Sequence, residues 1–80
     1  MEANTTEVTV KLDLGRVKDF VRIARSFESD VDLLSDRAVV DAKSILGVYA
    51  LNISENLTTR IISDNQEECN RFITEMKQFM

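Results

Sequence analysis

Ser44 is the residue in this sequence best placed to do chemistry. It stands within Val40-Asp41-Ala42-Lys43-Ser44-Ile45-Leu46-Gly47-Val48-Tyr49-Ala50-Leu51, where a strand-like run gives way to a short apolar helix. A hydroxyl at such a junction accepts a hydrogen bond from an early helical N–H that otherwise has no partner. Many serines of this kind are structural caps and nothing more. The same hydroxyl is also a candidate for phosphorylation, because a helix N-terminus stabilises added negative charge. Other chemistry is scarce. The sequence has no histidine, the usual acid, base and metal ligand near neutral pH, so a Ser-His or Cys-His nucleophile is excluded. With one cysteine, Cys69, a zinc site is not expected. Two glycines and no proline leave no Gly-rich phosphate loop. The carboxylates Glu28, Asp30, Asp32, Asp36 and Asp41 alternate with apolar positions, as on a solvated face, and lack the glycine of a calcium loop. The residues therefore predict no catalytic group, no metal and no cofactor.

The elements that must position Ser44 follow from periodicity. Residues 1–5 read as a frayed, disordered terminus. Glu7 to Leu12 alternates, with Val8, Val10 and Leu12 on one face, which is the signature of a half-buried strand. Asp13 offers an N-cap to a helix from about Gly15 to Phe27, whose apolar stripe is Val17, Phe20, Val21, Ala24 and Phe27. Lys18, Arg22 and Arg25 form a second, basic stripe on that helix. Such a stripe is normally a solvated face and, less often, a docking face for an acidic partner. Asp30 to Ser35 and Ala38 to Ala42 read as a β-hairpin turning at Ser35-Asp36-Arg37. Ser44 to about Leu51 is the short second helix, with Asn52 as its C-terminal stop. Leu57 to Ser63 is a fourth strand with Leu57, Thr59 and Ile61 on one face. Asp64, supported by Glu67, then caps a last helix with the stripe Cys69, Phe72, Ile73, Met76 and Phe79 or Met80. In that stripe Cys69 is a small core residue.

The order βαββαβα predicts an α+β fold: an open-faced β-sandwich with a four-stranded antiparallel sheet and three helices on one face, strands 1 and 4 pairing centrally. A ferredoxin-like unit competes, but it needs a longer second helix than Ser44 to Asn52 allows. The 80 residues make a single domain over 1–80, with 44% apolar and 30% charged residues and a net charge of −4. An acidic balance argues against nucleic acid. The longest apolar run, Ile45 to Leu51, is far short of a membrane span. With no signal-peptide pattern at its start and a lone cysteine, the chain is expected in the cytoplasm, as a monomer or weak dimer.

The run Lys43-Ser44-Ile45-Leu46-Gly47-Val48, together with chain length and element order, resembles HPr, the phosphocarrier protein of the bacterial sugar phosphotransferase system (PTS). The likeness spans about Val8 to the end of the last helix. It implies an HPr-like fold and departs at the family's active site. In a gap-free alignment Asp13 takes the position of the phosphoryl-accepting histidine, Gly15 that of the motif's arginine and Arg16 that of its proline. Asp13 is then a helix cap or a fixed carboxylate standing in for a phosphate, with one charge where phosphate carries nearly two.

The resemblance thus implies a histidine-less HPr paralogue, with Ser44 at the regulatory phosphorylation position. Ile45, Leu46 and Tyr49 match the family's apolar docking patch, and Arg16 is a further expected partner contact. In a helix this short Leu46 and Tyr49 are expected to face solvent. The implied partners are proteins: an HPr kinase-like enzyme, a transcriptional regulator or a PTS component. The alternative is an interaction or assembly module that needs no phosphate.

Overall fold

The structure, a computed structural model, describes residues 4–51, 53 and 56–80. Thr5–Val10 forms β1, Val17–Arg25 α1, Asp30–Leu34 β2 and Val39–Asp41 β3; Ile45–Ala50 forms α2, Leu57–Ile62 β4 and Gln66–Met76 α3, and a 3-10 turn at Lys77–Phe79 closes the chain. This is the expected βαββαβα order in an α+β fold. All strand pairs are antiparallel, in the order β1-β4-β2-β3.

The alternation read from the sequence sets which side of the sheet is buried. Val10, Val31, Leu33, Leu57, Thr59 and Ile61 point inward and are buried. The buried Thr59 hydroxyl donates to the Asp32 carbonyl at 3.0 Å, so its polar atom is satisfied. The helices cover this layer with Val17, Phe20, Val21 and Ala24 from α1 and Cys69, Phe72 and Met76 from α3. Two edge-to-face aromatic pairs clamp α1 and the loop after it to the C-terminal segment: Phe20 with Phe79 at 5.5 Å and Phe27 with Phe72 at 5.6 Å between ring centroids.

The other sheet face is open to solvent. Register places Glu7, Arg60, Asp32 and Asp41 in one row across the four strands, and Thr9, Thr58, Leu34 and Val39 in the next. Arg60 Nε meets Asp32 Oδ2 at 3.1 Å, with both side chains largely covered.

Several boundaries differ from expectation. β1 starts at Thr5, and Asn4 is anchored: its carbonyl accepts from Ser63 N at 2.9 Å and its N–H donates to Asp64 Oδ1 at 3.3 Å. The frayed segment therefore does not include Asn4 and Thr5, and residues 1–3 lie outside the described residues. β1 also stops at Val10, because Lys11 N leaves the ladder to donate to the Phe79 carbonyl at 2.6 Å. It pairs with β4 but sits at an edge, since the other side of β4 is taken by β2.

Asp13 does not cap α1. A turn at 14–16 intervenes, the N-cap is Arg16 without a side-chain capping bond, and Asp13 supplies only its main-chain carbonyl to Arg16 N at 3.0 Å. α1 ends at Arg25, where Ser26 Oγ donates to Ile23 O at 2.6 Å; Phe27 is buried beyond the helix. Asn65, not Asp64, caps α3, its Oδ1 accepting from Glu68 N at 3.1 Å. Asp64 is already turned toward Asn4. β3 is three residues long. The predicted stop at Asn52 falls outside the described residues, and Leu51 is the C-cap of α2.

Candidate functional site

Ser44 occupies the N-cap of α2 as predicted. Its backbone is extended (φ −100°, ψ 110°), and its Oγ accepts from Gly47 N at 3.1 Å. The turn before it is tied by Lys43 N to Asp41 Oδ1 at 2.9 Å and Ser44 N to Asp41 O at 3.0 Å. Two cations then fasten this junction to the end of α1. Arg25 Nε donates to Lys43 O at 2.8 Å, and Lys43 Nζ donates to Phe27 O at 2.7 Å. A Cβ on Gly47 would stand 3.3 Å from Ser44 Oγ, so glycine leaves the approach to the hydroxyl open. Ser44 itself is half-buried.

The six residues of α2 divide by helical spacing. Val48 and, past the helix end, Leu51 are buried, and Ile45 packs half-buried against the core. Leu46 and Tyr49 point outward at 79% and 42% exposure, as expected for an unpartnered apolar patch. Ile45 thus contributes mainly to the core, one helical turn from Val48.

The loop before α1 holds the other predicted residues. Asp13, Leu14 and Gly15 are exposed, Leu14 at 70%. The sequence reading did not single out Leu14; its only signal there is an apolar residue off the helical stripe. Arg16 is half-buried and engaged with the C-terminal turn. Its guanidinium lies 4.8 Å from the Phe79 ring centroid and donates to the Gln78 carbonyl. Arg16→Ala should therefore lower unfolding free energy by about 1–2 kcal/mol, the sum of a cation–π contact and a charged hydrogen bond. Urea denaturation of the purified variant measures it, and Arg16→Lys should recover only part.

A second cluster was not visible in the sequence. Glu68 Oε2 accepts from Glu28 N at 3.1 Å and Ser29 N at 3.3 Å, while Oε1 accepts from Ser29 Oγ and from Ser63 Oγ at 2.7 Å. These bonds, the Ser29 hydroxyl first and the Ser63 hydroxyl next, lower its pKa from 4.5 to about 2. Beside it, Arg71 lies 3.8 Å from the Phe27 ring centroid and donates to Ser26 Oγ and O at 3.1 and 3.0 Å. Together Ser26, Glu28, Asn65, Glu67, Glu68 and Arg71 line an open depression of about 380 Å³. The network knits the α1–β2 loop to the start of α3 and reads as structural. Among the described residues no group of three or more His, Cys, Asp or Glu is placed to hold a metal, and no helix is long and apolar enough to cross a membrane.

The model of the PTS-HPr family, described as the PTS HPr component phosphorylation site, matches residues 4–80. The chain belongs to the HPr family. Among solved structures, this HPr-family chain is similar to a phosphocarrier protein HPr from Bacillus anthracis str. Ames: TM-score 0.74, 24% identity, 96% of each chain covered. That likeness carries the fold. It is also similar to HPr-C-His from Thermoanaerobacter tengcongensis, at TM-score 0.70 and 25% identity, over 94% of this chain and 91% of that one. No curated protein matches it. The open-faced sandwich predicted for an HPr relative is the fold observed, with the Ser44 cap and the exposed Leu46 and Tyr49 in place.

Proposed function

We propose that this HPr-family chain is a non-enzymatic regulatory binding module of carbon uptake and catabolite control, acting in the cytoplasm and switched by phosphorylation of Ser44. It contains no histidine, so in this reading it carries no phosphohistidine, and Asp13 is a fixed exposed carboxylate at the acceptor position. One observation carries the reading: Ser44 Oγ caps α2, the same short helix that exposes Leu46 and Tyr49. A phosphate there adds nearly two negative charges at the border of an apolar patch, which changes what that patch can dock. The partners in this reading are an HPr kinase-like enzyme and a phosphate-reading transcriptional regulator or PTS component.

Intact mass after incubation with ATP and an HPr kinase tests it. A gain of one phosphate, lost in Ser44→Ala, is the expected result; no gain in the parent protein removes the switch. Loss of the cap costs about 1 kcal/mol, so the control variant remains folded.

A second reading rests on the same bond. Ser44 Oγ is half-buried and already accepts from Gly47 N, which favours a cap without a switch. The patch then holds its partner without phosphate. Binding insensitive to Ser44→Asp but lost in Tyr49→Ala identifies this case.

A further inference from the structure

The open face of the sheet and the exposed stripe of α1, on the opposite side of the molecule, carry opposite charge. On the open side of the sheet, Glu7, Asp30, Asp32 and Asp41 stand against Arg60 alone, a net of −3. On the helical side, Lys18, Arg22 and Arg25 of α1 are exposed against Asp19, a net of +2. The three cations span about 10 Å along α1. The row from Glu7 to Asp41 crosses three inter-strand gaps, about 14 Å.

Each face also carries an apolar corner. Leu34 pairs with Val39 on the sheet, Val39 being 55% exposed, while Leu46 and Tyr49 stand out from α2, which packs beside α1. We propose that the open sheet face docks the α1–α2 face of a second copy of this chain. The assembly is head-to-tail and salt-sensitive.

A second copy fits because this one sequence supplies both halves of the match. Acids meet cations, and Leu34 with Val39 meets Leu46 with Tyr49. The two surfaces differ, so the contact is heterologous and each added copy leaves one face of each kind free. Association then grows as open chains rather than stopping at a pair. It also covers Leu46 and Tyr49, so self-association competes with any other partner of that patch. The inference goes beyond the regulatory reading and does not depend on Ser44 being phosphorylated.

Sedimentation velocity over a protein concentration series tests it at ionic strengths of about 0.01 M and about 0.15 M, where the screening length is ~30 Å and ~8 Å. Average mass should rise continuously with concentration at the lower salt, and association should weaken by roughly tenfold or more at the higher salt as screening sets in. Amide chemical shifts should move on both β1–β3 and α1–α2. Lys18→Glu with Arg22→Glu removes one half of the contact, and Glu7→Gln with Asp30→Lys the other. Each double variant should stay monomeric alone. A mixture of the two should associate through the one intact face of each, as a pair without further growth. If one variant fails to fold, the other reads the same contact from the opposite side. A parent that stays monomeric at low salt overturns the proposal. So does a salt-insensitive dimer that plateaus at two copies, or self-association unchanged in the variants.

Discussion

Phe79→Ala should be among the most destabilising single changes in this domain, costing about 3–5 kcal/mol by the usual range for a buried phenylalanine. Phe79 is 1% exposed and sits where three elements meet. Its ring packs edge-on against Phe20 of α1 at 5.5 Å, and its face carries the Arg16 guanidinium. Its carbonyl receives Lys11 N, where the chain leaves β1. Truncation opens a cavity and strips Arg16 of its stacking surface while leaving the main-chain bond without its anchor. Small domains have roughly 5–15 kcal/mol of total stability, so such a loss removes much of it. Thermal unfolding followed by circular dichroism should show a fall in Tm of more than about 12 °C, at roughly 4–8 °C per kcal/mol for a chain of this size. Phe79→Leu, which keeps most of the volume, should lose clearly less. Equal loss in the two variants would place the role of Phe79 in the ring's electrostatics rather than in its bulk.

The second large effect is a pH limb set by Glu68. Its carboxylate gathers two hydroxyls and two main-chain N–H groups, which hold its pKa at about 2, below the ordinary 4.5. A group whose folded pKa is lowered adds stability above its unfolded pKa and loses it as pH falls through the folded one. The contribution of Glu68 is thus complete above about pH 4.5 and gone near pH 2. Glu68→Gln should cost about 1–2 kcal/mol at neutral pH, discounted from the full value of charged hydrogen bonds because water reaches the site. Its stability should also fall less steeply between those pH values. Urea midpoints of both proteins from pH 7 to 2 measure this. Parallel curves would mean that Glu68 is not the titrating group.

Much of this was legible in the sequence because it depends on local periodicity. Leu57, Thr59 and Ile61 alternate with Thr58, Arg60 and Ile62, and the first three are buried. Ser44 lies between a strand pattern and an apolar helical one, and it caps α2. Leu46 and Tyr49 were expected outward because six helical residues cannot bury every side, and both are exposed. The errors share a cause, which is competition decided across long stretches of chain. Asp64 and Asn65 are equally good caps by type, but Asp64 meets Asn4, 60 residues away, and Asn65 takes the helix. Asp13 has the composition of an N-cap, yet the turn at 14–16 moves the start of α1 beyond its reach. The hold of Arg16 on the C-terminal turn went unseen because Gln78 and Phe79 lie at the far end of the sequence. Glu68 showed no signal because Glu28 and Ser29 lie 40 and 39 residues away.

The position of β4 has a consequence for how the chain is made. It pairs with β1 through Thr5↔Ile62 to Val10↔Leu57, and with β2 through Asp30↔Ile62 to Leu34↔Thr58. During synthesis the first strand therefore emerges with no neighbour to pair with. The β2–β3 hairpin forms between neighbouring segments, but it is held by three residue pairs. The sheet is completed when Leu57–Ile62 leaves the ribosome, and the clamp at Phe79 closes later still. Closing such distant pairs makes folding slow for a chain of this length. Until β4 arrives, the exposed edge of Thr5–Val10 is the segment that most needs protection.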